Sequence, residues 1–388
     1  MSKVTMIGCD VHDASLVLKV AVGQEAAVKK TFGGSEVAEM ILWLKEFAQR
    51  HEAPRIVLVY EASSRGFGLY DQLRDAGIEC HVLAPTHLPH TAHRRKNKTD
   101  DKDADMLLDE VRAYVLAGRE LPDVWVPDLR TRDDREAVRV RLQFGEQRTG
   151  VKNQIRQLAK RNSLAFPVWF TKSGEWSRRS LQWLREMAGG TSACLAEGAR
   201  TALVSLIDLY AALSCELKEL DRGILKLARS PRYAQTFRKL KLMPGVGTLT
   251  AMVFLTELGD LARFANRRQL AAYLGLAPAA YESGTHDDRK GHITRQGSAR
   301  VRHVLCQAAW AAVRCCKESK ATYEKIRRGT SKRTKIAIVA LMRKLAIAMW
   351  HTALSPEVTR LLEEVDRGKD SAEAPAENAT VGAATLAG

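Results

Sequence analysis

The chain has 388 residues and carries 61 Lys and Arg against 45 Asp and Glu, a formal charge of +16. That length exceeds what one hydrophobic core usually organises and predicts two or three domains, and the cation surplus favours a polyanionic partner, nucleic acid ahead of an anionic membrane. No apolar run approaches the roughly 20 residues of a bilayer span, and MSKVTMIGCD lacks a signal-peptide pattern, so a cytoplasmic protein with no membrane partner is expected. Cys9, Cys80, Cys194, Cys215, Cys306, Cys315 and Cys316 form no C-x-x-C pair and no Cys/His group at zinc spacing, which argues against a disulfide framework or zinc finger and for small buried side chains.

In chain order, VTMIGC, SLVLKVAV and EAAVKKTF, separated by turn residues, predict a three-stranded antiparallel meander. A helix follows from about Glu36 to Gln49, then the strand RIVLVY, a helical stretch through GLYDQLRDAG, the strand ECHVLA, and a helix from about Asp100 through Val115. Three antiparallel strands followed by strand-helix repeats describe a ribonuclease-H-like α/β core. After ELPDVWVPDL the pattern turns helical, with one segment from Thr131 to about Asn162. In it Val151, Ile155 and Leu158 supply an apolar stripe, while Arg148, Lys152, Arg156 and Lys160 recur at i+4 as either a solvated ridge or a phosphate contact. Trp169, Trp176 and Trp183, seven apart, fit helical packing better than base stacking. More helix runs from about Ala193 to Ala228, and the acidic, aperiodic C-terminal end reads as a disordered tail.

Asp10 directly follows one apolar strand and Glu61 another, and in the ribonuclease-H-like topology those strands are neighbours. Asp100 and Asp103, three apart, point from one face of a helix's first turn. Four carboxylates can neutralise a pair of Mg²⁺ ions, which orient and stabilise in-line attack at a phosphodiester. Asp100 is equally suited to an N-cap, and Asp101 and Asp105 in the same DDKDAD run leave the register open on spacing alone. Further on, Pro244, Gly245, Val246 and Gly247 separate two helical stretches and resemble a helix-hairpin-helix element. Gly245 and Gly247 there would let backbone N–H groups approach a phosphate, or would simply form a tight turn. Near the C-terminus Arg327, Arg328, Lys332, Arg333 and Lys335 precede a helix with Ile336, Val339 and Met342 or Arg343 at helical spacing, expected to pack as core behind a basic lead-in.

IGCDVH, VYEASS and KTDDKDADML resemble the N-terminal motifs of the DEDD transposases of the bacterial insertion-sequence family "one-ten", whose third motif reads Lys-Thr-Asp, two variable residues, Asp-Ala. Lys98-Thr99-Asp100 and Asp103-Ala104 match it, so the resemblance favours Asp100 and Asp103 over Asp101 and Asp105 and implies a Mg²⁺-binding RuvC-like domain. The stretch FANRRQLAAYLGLAPAAYESGTHDDRKGHITRQGSARVRHVLCQAAWAAV resembles the same family's transposase domain, where a Ser-Gly pair carries the nucleophile. Ser283 and Gly284 stand in that place, two residues after Tyr281, and Thr285 stands where the family usually has a second glycine. A serine needs its proton removed and its target phosphate activated; Arg289, Lys290, His292, Arg295, Arg300 and Arg302 are nearby cations for that phosphate.

The resemblance further implies a covalent phosphoserine intermediate, a structured bridge RNA that pairs with donor and target DNA, and a composite site assembled from different subunits of a dimer or tetramer. The expected organisation is α/β plus all-α: a RuvC-like domain (1–128), a helical or coiled-coil region (129–235), a mostly helical transposase domain with the catalytic serine (236–360) and a disordered tail (361–388). A RuvC-like endonuclease that acts by hydrolysis is the competing reading, with Ser283 then an ordinary loop residue. An actin-like kinase lacks its second glycine-rich phosphate loop in this chain, and a non-enzymatic RNA scaffold would need its acids to be idle.

Overall fold

The structure, a computed structural model, describes residues 3–88, 100–172, 175–191, 194–280, 290–362 and 364. The chain forms two compact units, Met1–Pro127 and Asp128–Gly388.

In the first unit, β1 (Val4–Val11), β2 (Ser15–Val22), β3 (Val28–Gly33), β4 (Arg55–Glu61) and β5 (Glu79–Leu83) form one sheet in the order β3-β2-β1-β4-β5. The first three strands pair antiparallel, and β1–β4 and β4–β5 pair parallel. The expected meander and strand-helix repeats therefore form, as a ribonuclease-H-like arrangement requires. Both faces of the central strands are covered, which is why VTMIGC and RIVLVY read as nearly unbroken apolar runs. Ile7, Cys9, Leu58 and Tyr60 face a core completed by Met40, Leu44 and Phe47 of α1 (Val37–Arg50) and Leu73 of α2 (Gly68–Asp75). Met6, Val57, Val59 and Leu83 face Leu107, Leu108 and Val111 of α3 (Asp100–Ala117). The edge strand β3 exposes Lys29 and Lys30, charges that discourage pairing with a further strand.

The second unit is helical apart from one small hairpin. Its frame is α4 (Leu129–Arg161) against α7 (Glu197–Ala228). They run antiparallel: Val138 and Leu142 share a core with Ile224 and Ala228, whereas Val151, Ile155 and Leu158 share one with Leu203, Ile207 and Tyr210. Asp128 caps α4, accepting from the Thr131 amide at 2.9 Å and its hydroxyl at 2.6 Å. Between these helices in sequence come α5 (Val168–Lys172) and α6 (Arg178–Glu186). Trp169 of α5, Trp183 of α6 and Trp176 of the turn before α6 pack with Phe166, Phe170 and Tyr210, so the tryptophans pack as expected, though not along one helix.

The remaining helices, α8 (Ala234–Lys241), α9 (Thr248–Leu258), α10 (Arg267–Tyr273), α11 (Ala299–Cys315), α12 (Lys317–Arg327) and α13 (Thr334–Leu354), surround a core centred on α9, whose residues from Thr250 to Leu258 are all buried. Strands β6 (Pro278–Ala280) and β7 (Lys290–Ile293) form the hairpin.

Three expectations change. Of the cysteines expected to be buried, Cys9 and Cys80 are, whereas Cys194, Cys215 and Cys315 are exposed. The apolar stripe of α13 leaves out Ile336, which is 57% exposed; Val339 packs partly buried against the core, as expected, and Ala337, Ile338, Leu341, Met342, Ala346 and Met349 face it. This helix is apolar on nearly all sides, so periodicity barely distinguishes its inward face. Also, α7 and the segment Ser331–Leu354 are long and apolar enough to cross a membrane by length and composition, contrary to expectation. Both direct apolar side chains into the cores just described, as core helices do.

Candidate active site

The β1–β4 ladder pairs Gly8 with Val59 and ends at Cys9 with Tyr60, so one further step brings Asp10 beside Glu61. Because side chains alternate along a strand, both emerge on the α3 face that Met6, Val57 and Val59 help to form. Strand spacing places their Cα atoms roughly 5 Å apart, and both residues are half-buried. On the opposite face, burial and then the Asp10 carboxylate push the Cys9 thiol well above its usual range, so it stays protonated.

Helix α3 lies directly on β1. A Cβ at Gly8 would come within 2.3 Å of both the Ala104 carbonyl oxygen and the Leu108 nitrogen, so only glycine permits this approach. Arg112, later in α3, donates to the Glu25 carbonyl oxygen at 2.7 Å, just past Val22, the partner of Thr5, so the first turn of α3 points toward the Asp10 end of the strand. Lys19 Nζ stands 3.2 Å from Asp101 Oδ1 and 3.3 Å from Asp105 Oδ1, and Lys29 Nζ is 2.9 Å from Asp101. Hydrogen bonds from Lys29 and then Lys19 hold the Asp101 carboxyl below its usual range. Asp103 is two residues on, about 200° around the helix from Asp101, on the flank toward β4. Asp100 opens the helix, and its side chain lies outside the described residues. Of the acids that spacing left equivalent, Asp101 and Asp105 are bound by Lys19 of β2, and Asp101 also by Lys29 of β3.

In the second unit β6 and β7 pair antiparallel, Pro278 with Ile293 and Ala280 with Lys290. Residues 281–289, among them Tyr281, Ser283, Gly284, Thr285 and Arg289, lie outside the described residues, so the structure supplies the base of the serine loop only. That base is tightly built. A Cβ at Gly275 would fall 2.1 Å from the Gln296 carbonyl oxygen and one at Gly297 would fall 1.9 Å from that of Tyr273; φ is +65° and +94° at these glycines. Arg302 Nη1 donates to the carbonyl oxygens of Leu274 at 3.1 Å and Gly297 at 3.0 Å, tying the two crossing segments together.

Both regions match known families. Residues 7–162 match a transposase family of the DEDD, IS110 type, and residues 237–324 match the family described as transposase IS116/IS110/IS902. The chain belongs to the IS110/IS116 family of transposases. It is 29% identical over 311 residues to y4qE of Sinorhizobium fredii, covering 78% of this chain and 70% of that one. It is likewise 29% identical over 352 residues to y4rJ of the same organism, covering 84% and 86%. A transposase for insertion sequence element IS1111A of Coxiella burnetii is 24% identical over 309 residues, covering 78% and 79%. The transposase is accordingly a DNA-processing enzyme whose N-terminal match includes all four candidate acids.

A DEDD domain calls for a divalent metal, and carboxylate oxygens are the donors that hard divalent cations take. Asp10 and Glu61, side by side, fit that chemistry as part of a site. Among the described residues no three His, Cys, Asp or Glu side chains are close enough together to hold an ion; Asp103 and the Asp100 backbone stand on the neighbouring helix.

Several cations of the transposase have internal partners. Lys152 Nζ lies over the rings of Trp176 at 5.5 Å and Tyr210 at 5.8 Å. Arg156 bonds Glu175 and, at 3.0 Å, Asn153. On the same ridge Arg148 is half-buried and Lys160 is exposed. Gly245 serves packing: a Cβ there would meet the Ala308 carbonyl oxygen of α11 at 2.3 Å. Gly247, by contrast, opens on free space as the N-cap of α9. Arg295 and Arg300 are exposed near the hairpin base, Arg300 also acting electrostatically on Glu257, and Lys290 opens β7 with its side chain outside the described residues.

Two residues at the acid site escaped the sequence reading. His12 Nε2 lies 3.0 Å from Asp10 Oδ2, and the two-residue strand period in IGCDVH was the available signal. Arg65 donates to the main-chain oxygens of His12 at 2.9 Å and Gly34 at 2.8 Å; nothing local in SSRG announces that.

Proposed function

We propose that the transposase cuts and rejoins DNA through a covalent phosphoserine on Ser283, with Asp10, Glu61, Asp100 and Asp103 holding Mg²⁺. The observation that carries this reading is the placement of Asp10 beside Glu61 on the sheet face where α3 begins, with Asp101 and Asp105 bound elsewhere by lysines. Bound Mg²⁺ would polarise the scissile phosphate and offset charge on the leaving oxygen.

In the serine step, the Ser283 hydroxyl gives its proton to a base and its Oγ bonds to phosphorus. The bond from phosphorus to the adjoining sugar oxygen breaks, and that oxygen takes up a proton and leaves as a hydroxyl. The number of phosphoester bonds is conserved, so attack by another strand's hydroxyl reverses the step and reseals DNA without ATP. Arg289, Lys290, Arg295 and Arg300 would bind the phosphate, and Arg302 would keep the loop's base in place. The charge of +16 supports two polyanionic partners, the donor and target DNA and a structured bridge RNA that selects them. Arg148, Lys160 and the α9 N-terminus at Gly247 are the contacts best placed for phosphate among those expected. Strand exchange would take a dimer or tetramer. Within the helical unit we divide a helical or coiled-coil region (129–235) from the transposase domain (236–360).

Mass spectrometry of the transposase trapped on nicked DNA tests this directly. A phosphodiester on Ser283, lost in Ser283→Ala, is the expected result. An adduct on Tyr281 would overturn the assignment, and continued cutting by Ser283→Ala would favour a hydrolytic RuvC-like nuclease.

A further inference from the structure

The β1–β4 ladder ends one step short of the acids, at Cys9 with Tyr60. Asp10 also pairs with Val17 of β2, and Glu61 with Leu83 of β5. β4 ends at Glu61 and β1 one residue past Asp10, so both strands leave the sheet at this end of the ladder. Beyond it the structure has a different tie. Arg65, four residues after Glu61 in the loop leaving β4, reaches 53 positions back along the chain to the His12 carbonyl oxygen at 2.9 Å with Nη1. Its Nη2 reaches the Gly34 carbonyl oxygen at 2.8 Å.

The turn that Arg65 grips is itself fitted closely. Gly34 donates its amide to the Ala14 carbonyl oxygen at 3.0 Å, and a Cβ at Gly34 would fall 2.1 Å from the Asp13 carbonyl oxygen. The residue whose main chain is gripped also touches the acid, since His12 Nε2 is 3.0 Å from Asp10 Oδ2. A chain of contacts thus runs from the loop after Glu61, through Arg65 and His12, to the Asp10 carboxylate. Arginine suits the task because its planar fork offers two donors of fixed separation and stays charged.

We infer that Arg65 is a positioning residue for DNA cleavage, which locks the β1–β2 turn to the loop after β4 and so sets the separation of Asp10 from Glu61. This rests on the reading of those acids as metal ligands. Its effect falls on metal affinity before it falls on folding, because the bonds it makes lie outside both cores of the unit.

The test uses full-length transposase and Mn²⁺ as probe, with binding followed by electron paramagnetic resonance and thermal melting followed without added metal. Arg65→Met should weaken Mn²⁺ binding by about tenfold, as loss of a group that orients a metal ligand does, with little change in melting. Arg65→Lys, which can reach one carbonyl but not span both, should fall between. Asp10→Asn serves as the reference. If Asp10→Asn binds Mn²⁺ as the wild type does, the metal reading itself fails. If Asp10→Asn loses binding while Arg65→Met retains it, the metal reading stands and the positioning role is overturned. A Mn²⁺ affinity that drops only in proportion to a lowered melting temperature, in both Arg65 variants, would make Arg65 a folding residue and also overturn it.

Discussion

The acid-bearing strand ends of the first unit and the serine hairpin of the second are held by different means. Asp10 and Glu61 sit at the ends of central strands that are buried on both faces and paired to neighbours on both sides. The hairpin has two short strands, and its base depends on glycine contacts and Arg302. A central sheet places a residue through many cooperative bonds. A two-stranded hairpin has few such bonds, and two strands alone are marginal in water. The pair therefore combines an acid platform built on a central sheet with a hairpin base whose stability rests on a few contacts.

The largest expected effect separates chemistry from framework. Asp10→Asn should lower strand cleavage by at least about a hundredfold, more than the loss of an orienting neighbour costs, while gel-shift binding of DNA persists. Loss of DNA binding together with cleavage would mean that the acid platform is structural. Next, Gly8→Val should destabilise the first unit by about 3 kcal/mol, since its side chain would have to displace the α3 backbone at Ala104 and Leu108. Hydrogen exchange resolved by segment would show protection falling in β1, β4 and α3, with α9 unchanged.

On the hairpin side, Gly297→Ala should cost about 1–3 kcal/mol through positive φ and the clash with the Tyr273 carbonyl. Faster exchange in 273–297, with β1 and β4 unchanged, is the expected pattern; equal loosening of both regions would break the contrast drawn above.

A pH comparison sharpens it further. His81 Nδ1 lies 2.8 Å from Asp123 Oδ2 and its Nε2 lies 3.2 Å from Glu79 Oε1. The Asp123 bond, and then that of Glu79, raise the His81 pKa against the opposing effect of burial. A raised histidine contributes stability that is complete below its unfolded value, about 6.5, and is lost as pH rises through the folded value. Asp128 is the opposite case. Its bonds from Thr131 and Arg232 outweigh burial and depress its pKa, so its contribution at the α4 cap is present above the usual carboxylate range and is lost on acidification. Raising pH from about 6 to about 8 should loosen the segment 121–126 bound to β5 and leave the start of α4 unaffected. Asp123→Asn should flatten the first response. The smallest effect is expected for Arg141→Ala, which removes the exposed pair to Asp221 between α4 and α7; a loss of about 0.5 kcal/mol in denaturant melts is expected.

Much of the fold was legible because its signals are local. Short apolar runs bounded by turn residues marked the strands, the 3.6-residue period marked α4, and a carboxylate after each of two apolar runs marked Asp10 and Glu61. Other features depended on residues distant in the chain. Which acids of DDKDAD are held by lysines depended on Lys19 and Lys29. The partners of Lys152 and Arg156 came from Trp176, Tyr210 and Glu175. Gly245 acquired its purpose from α11, and the inward face of α13 was set by packing in a helix apolar almost all around. The sequence by itself determined the element order of the first unit and singled out Asp10 and Glu61 as candidates, since strand and helix signals are local. Only the tertiary structure decided which acids lysines occupy, which cations are internal, and that Arg65 ties the acid-bearing loops together, since each depends on segments tens of residues apart being brought within hydrogen-bond or ion-pair distance.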